Sequence, residues 1–163
     1  MPTDTQAKDK ATASVTREDL IKGLQEDLSR EYQAIMAYVV YSQALKGAQY
    51  QSIAKELELH ASEELAHAIT ISKQIDYLGG MPNATALPVK LTDDAEEMLR
   101  ADLENEGNTV RAYRERVRQA DALGEFAISE EIREILRQEQ EHQIDLATAL
   151  GEDVPDVSKI KKK

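Results

Sequence analysis

Leu57-Glu58-Leu59-His60-Ala61-Ser62-Glu63-Glu64-Leu65-Ala66-His67-Ala68-Ile69-Thr70-Ile71 decides the fold. Leu57, His60, Glu64, His67 and Ile71 recur at spacings of three and four, so they share one face of an α-helix. The apolar members mark that face as buried, and a carboxylate and an imidazole interrupt it one turn apart. An ionised carboxylate in a dry core costs several kcal/mol unless a cation or proton neutralises it. This stripe therefore predicts a helix that brings charge inward for a purpose.

Working outward, the stripe extends through Tyr50, Ile53, Ile75 and Leu78, and three further segments repeat its logic. Helical periodicity with few breakers covers Arg17 to Lys46, Tyr50 to Leu78, Thr92 to Leu123 and Glu125 to Leu150. In the first, Leu20, Leu24, Leu28, Ile35, Tyr38, Ser42 and Leu45 frame Glu31. In the third, Ala95, Leu99, Asp102 or Leu103, Val110, Tyr113, Val117 and Ala120 frame Glu106. In the fourth, Ile128, Ile132, Ile135, Leu146 and Leu150 frame Glu139 and His142.

Gly47-Ala48 and Gly124 are such short links that helices one and two, and three and four, should form antiparallel hairpins. Between the hairpins, residues 79–91 are too rich in Gly and Pro for a helix. At about 3.3 Å per extended residue this connector reaches roughly 40 Å, close to the length of a 30-residue helix. The expected fold is all-α, a four-helix up-down bundle with a long crossover between helices two and three.

Glu31, Glu64 and Glu106 stand near the middle of their helices and Glu139 within about a turn of the middle, so packing the helices side by side brings them together. Glu64-Leu65-Ala66-His67 and Glu139-Gln140-Glu141-His142 each set a carboxylate and an imidazole on one face. With 19 glutamates in 163 residues, the odds that two given histidines both have Glu three positions back are on the order of 1 in 70. Adding 75 to Glu31, Tyr38, Glu64 and His67 gives Glu106, Tyr113, Glu139 and His142, an ungapped internal repeat that predicts a pseudo-two-fold axis. The competing account, a polar layer that only fixes helix register, explains neither the repeat nor the charge.

Composition narrows the chemistry. Zero cysteines remove disulfides, thiolate-bound zinc and iron–sulfur clusters, leaving oxygen and imidazole as metal donors. A net charge of -11 favours cations over nucleic acid as partners. No apolar run is long enough for a membrane span, and the cytoplasm is the expected location. Residues 1–16 are expected as a flexible tail, 17–150 as the bundle and 151–163 as a basic tail. The tail lysines Lys8, Lys10, Lys159 and Lys161 to Lys163 are expected to solubilise, with DNA contact the less favoured reading.

The motifs Glu31-Tyr32-Gln33-Ala34-Ile35-Met36-Ala37-Tyr38, Glu64-Leu65-Ala66-His67, Gly80-Met81-Pro82-Asn83, Ala95-Glu96-Glu97-Met98-Leu99-Arg100-Ala101-Asp102-Leu103 and Glu134-Ile135-Leu136-Arg137 resemble bacterioferritin over about residues 20 to 150. The resemblance places the chain in the ferritin-like diiron superfamily, whose pairing of lone Glu with Glu-x-x-His is a general feature of that class. It implies a ferroxidase centre for two Fe ions, with Mn as a second candidate. Glu31 and His67 would hold one ion, Glu106 and His142 the other, with Glu64 and Glu139 bridging. The implied reaction is oxidation of Fe(II) by O2 or H2O2, in iron storage or detoxification. The alternative is a small non-cage diiron or dimanganese oxidase or peroxidase.

Two departures shape the expectation. Bacterioferritin carries a haem-ligating Met directly after the second-helix Glu, where this chain has Leu65, so haem is not expected. No short fifth helix follows Gly151, so a homo-oligomer of two or 12 chains is as well favoured as a larger cage. Tyr38 and Tyr113 are expected to orient ligand carboxylates, and His60, on the same stripe as Glu64, to lie near the edge of the core or to guide an ion.

Overall fold

The computed structural model describes residues 14–159. Four helices carry the fold: α1 (Arg17–Ala44), α2 (Gln51–Tyr77), α3 (Ala95–Ala122) and α4 (Phe126–Leu150), with one 3₁₀ turn at Ala48–Tyr50 and no strand among the described residues. Thr16 opens α1 with a capping box, accepting from the Asp19 amide while the Asp19 carboxylate accepts from the Thr16 amide. Asp94 caps α3 through the Glu97 amide. Gly151 closes α4 at φ 71°, a left-handed conformation that an L side chain resists.

α1 packs on α2, α3 on α4, α1 on α3 and α2 on α4, a square with the two hairpins side by side. The crossover sets their directions. Gln25 donates to the Met81 carbonyl, Tyr32 to the Asn83 carbonyl, Gln33 to the Pro88 carbonyl and Tyr41 to the Lys90 carbonyl, so residues 81–90 climb along α1 in its own direction. α3 therefore starts beside the end of α1 and descends parallel to α2. Two core clusters reflect this. One joins Leu20, Leu24 and Leu28 to Ile71, Ile75, Tyr113, Val117, Ile128 and Ile132. The other joins Tyr41 and Leu45 to Leu57, Leu99, Leu103 and Leu146.

The crossover also widens the buried face of α1. Tyr41, whose hydroxyl reaches the Lys90 carbonyl, is buried, as is Ala37, whereas Ile35, expected in the core, is only partly buried. Asn83 is the principal clasp: its amide nitrogen donates to the Gln25 carbonyl and its Oδ1 accepts from Ser29 and from the Thr85 amide. Past Gly151 the chain turns back along α3, where Glu152 meets Arg100, Val157 is 4% exposed and its carbonyl accepts from Arg111. Residues 1–13 and 160–163, with Lys8, Lys10 and Lys161 to Lys163, lie outside the described residues. No described helix is long and apolar enough to cross a membrane.

Candidate metal centre

Between the two core clusters lies a polar layer. Glu31, Glu64, His67, Glu106, Glu139 and His142 are all buried there, none more than 3% exposed. Each helix contributes because its apolar stripe continues on both sides of the acid, so core packing forces the carboxylate inward.

The layer has two overlapping halves. Glu31, Glu64, His67 and Glu139 form one and Glu64, Glu106, Glu139 and His142 the other; within each, one donor atom per residue lies within 4.8 Å of the rest. Glu64 and Glu139 belong to both. Glu64 sends Oε2 to within 3.0 Å of His67 Nδ1 and Oε1 to within 3.0 Å of His142 Nδ1. Glu139 sends Oε1 to 3.2 Å from His67 Nδ1 and Oε2 to 3.1 Å from His142 Nδ1. Glu31 and Glu106 each serve one half, 3.6 Å from His67 Nδ1 and His142 Nδ1 respectively.

Partners outside the layer hold these atoms in place. The Tyr38 hydroxyl donates to Glu106 Oε1 and the Tyr113 hydroxyl to Glu31 Oε1. Each tyrosine thus serves the acid of the other repeat. His67 Nε2 donates to Gln138 Oε1, and His142 Nε2 donates to Glu63 Oε2 at 2.7 Å. Both bonds turn Nδ1 inward, the orientation a metal-ligating imidazole needs. Several inward atoms lack any hydrogen-bond partner: Glu31 Oε2, Glu64 Oε1, both Glu139 oxygens and His142 Nδ1. Buried polar atoms are rarely left so, and this donor set of oxygen and imidazole suits Fe, Mn or Zn.

Without an ion, protons carry the charge. Burial, then the neighbouring Glu139 and Glu31 carboxylates, push Glu64 well above the usual carboxylate range. Burial, then Glu106 and Glu31, raise Glu139 to about 7. Burial alone would lower both histidines, but the facing carboxyl groups of Glu139, Glu31 and Glu64 favour the protonated form of His67, and those of Glu106, Glu139 and Glu64 that of His142. Burial raises Glu31 and Glu106, yet the nearby Glu64 and His67 with the Tyr113 hydroxyl, and the nearby His142 and Glu139 with the Tyr38 hydroxyl, bring them below the ordinary value.

His60 is 2% exposed rather than at the core's edge. Its ring stacks on His142 at 4.0 Å between centroids, and Nε2 lies 3.0 Å from Asp145 Oδ2. Sequence reasoning missed Glu63 and Gln138, which lie off the apolar stripe, and the buried Asp27. Asp27 is one turn before Glu31 and is paired with Arg116 at 2.7 Å and with Arg30. The repeat held the signal, since Glu63 and Gln138, like Asp27 and Asp102, are 75 apart.

Comparison with known proteins identifies the family and the fold. Residues 21–153 match the family model for a ferritin-like domain. The chain is 28% identical over 141 residues to a bacterioferritin of Brucella melitensis, covering 82% of this chain and 88% of that protein. It is 29% identical over 127 residues to a bacterioferritin of Rhodobacter capsulatus, covering 77% and 78%. A crystal structure described as ferritin-like, diiron-carboxylate proteins from Bacillus anthracis superposes with a TM-score of 0.79 at 31% identity, covering 82% of this chain and 96% of that one.

Proposed function

The chain belongs to the ferritin-like domain family, and from that premise we propose that it is a bacterioferritin-like ferroxidase, oxidising Fe(II) with O2 or H2O2 in iron storage or detoxification. One observation carries the reading: Glu64 and Glu139 each divide their two oxygens between two histidine-bearing halves. That is the geometry of a carboxylate bridging two ions. In this reading Glu31 and His67 would hold one Fe(II), Glu106 and His142 the other, and Glu64 and Glu139 would be shared by both.

Two adjacent Fe(II) ions supply one electron each, which reduces O2 to H2O2 with two protons, or H2O2 to two waters with two protons. Four carboxylates balance two divalent ions against neutral imidazoles, so a loaded centre carries no net charge in its dry surroundings. Tyr113 occupies Glu31 Oε1 and leaves Oε2 free to ligate beside His67, while Tyr38 donates to Glu106 Oε1, the oxygen that also faces His142. Gln138 and Glu63 hold the imidazole Nδ1 atoms inward through Nε2. Leu65, 53% exposed, offers no sulfur to a haem. A homo-oligomer is part of the proposal, and solution mass with retained iron separates a storage shell from a small oxidase.

Glu64→Ala removes one donor from both ions. Rapid Fe(II) oxidation, followed optically under air or with added H2O2, should fall at least about 100-fold while far-UV circular dichroism keeps its helical signal. A variant that oxidises Fe(II) at the wild-type rate refutes the assignment.

A further inference from the structure

The two halves of the centre are copies in sequence but not in charge. His67 Nε2 donates to the neutral amide of Gln138, whereas the repeat-equivalent His142 Nε2 donates to the carboxylate of Glu63. One turn before each lone glutamate lies another buried acid, Asp27 before Glu31 and Asp102 before Glu106, each no more than 2% exposed. Asp27 is embraced by two guanidinium groups, Arg116 and Arg30. The positions that would supply Asp102 with the same partners are Tyr41 and Asn105, and among the described residues no ion pair reaches Asp102.

These differences act in one direction. Beside Glu31 the surroundings carry two positive groups against one negative and present an amide to the imidazole. Beside Glu106 they carry no cationic partner and present an anion to the imidazole. An anionic partner on Nε2 makes the opposite nitrogen a stronger donor to a metal, and bound guanidinium groups oppose a cation nearby. The imbalance holds whether or not Asp102 carries its proton, because the two arginines have no counterpart on its side.

We infer that the two metal positions are inequivalent: the one held by Glu106 and His142 binds a divalent cation more tightly and fills first, with Glu63 as the positioning residue that sets this order. The inference rests on the dinuclear reading above. Its consequence is stepwise assembly, in which a first Fe(II) waits in the Glu106/His142 half and a second completes the centre through the shared Glu64 and Glu139.

Zn(II), which does not undergo oxidation, is the probe. Calorimetric titration of metal-free protein should resolve two steps whose affinities differ by about 10- to 100-fold, the range by which partners of metal-bound histidines alter affinity. Crystals soaked at increasing Zn(II) should show anomalous density rising first between Glu106 and His142. Glu63→Gln, which keeps shape and hydrogen bond, should narrow the gap by about 10-fold, and Gln138→Glu should strengthen the second step by a similar factor. Simultaneous filling, the reverse order, or a gap unmoved by Glu63→Gln overturns the inference while leaving two ions at the centre. No Zn(II) among the six side chains overturns both it and the dinuclear reading.

Discussion

Loading the centre should exchange protons for metal at nearly constant charge. At pH 6 the metal-free layer holds ionised Glu31 and Glu106 against protonated His67 and His142, with Glu64 protonated and Glu139, raised to about 7, about nine-tenths protonated. That layer is nearly neutral. Two divalent ions require four carboxylates and two neutral imidazoles, so the displaced protons are one from each histidine, one from Glu64 and nine-tenths of one from Glu139. The expected release is about four protons per pair of ions at pH 6, and fewer as pH rises through about 7. Zn(II) calorimetry repeated in buffers of different ionisation enthalpy measures this directly. The summed log affinity for both ions should rise by about four for each pH unit near pH 6. Release of one proton or fewer would refute this picture of the layer.

Three further outcomes are expected. Metal-free protein should lose stability between pH 5 and 8: Glu139 holds its proton more tightly folded than unfolded, so the stability it lends is full below pH 4.5 and declines as pH rises through about 7. A shift from 4.5 to about 7, at about 1.4 kcal/mol per unit, is roughly 3 kcal/mol, read by urea denaturation at each pH; a rise over that window contradicts it. Arg116→Met should cost about 3–5 kcal/mol by leaving Asp27 buried beside Arg30 alone, and adding Asp27→Leu should recover much of the loss in the same assay. Asn83→Ala should speed proteolytic cutting within residues 79–91 relative to the helices, since it frees the Gln25 and Ser29 contacts; unchanged cutting would show that the remaining clasps suffice.

The helices and the six central side chains were legible because both rest on periodicity. An apolar stripe fixes which face is inward, and Glu31, Glu64, Glu106 and Glu139 are visible as violations of it. The reach of residues 79–91 gave the crossover in the same way, from length alone. What lay hidden was chosen by contact between helices. Asp27 meets Arg116 across 89 positions, and nothing within α1 says that this aspartate is buried. Gly23 gives way to that pair, since a Cβ there would lie 2.0 Å from Arg116 Nη1. Glu63 and Gln138 sit beside Glu64 and Glu139 on their helices but off the stripe, among many exposed acids and amides. His60 lies deeper than its place on the stripe implies, because His142 of another helix stacks on it.

The turn of the chain after Gly151 bears on how labels and fusions would report. α4 ends at the pole of the bundle opposite the start of α1, so attachments at the two ends would ordinarily stand about 40 Å apart along the axis. Residues 152–157 instead descend along α3 until Val157 rests beside Gly107 and Arg111. A dye at Ser158 would then lie only about 17 Å above the level of a dye at Thr16, counting the rise from Arg111 to the end of α3. Energy transfer between them would be efficient while this segment is seated and would drop on its release, turning the stretch into a gauge of its own attachment.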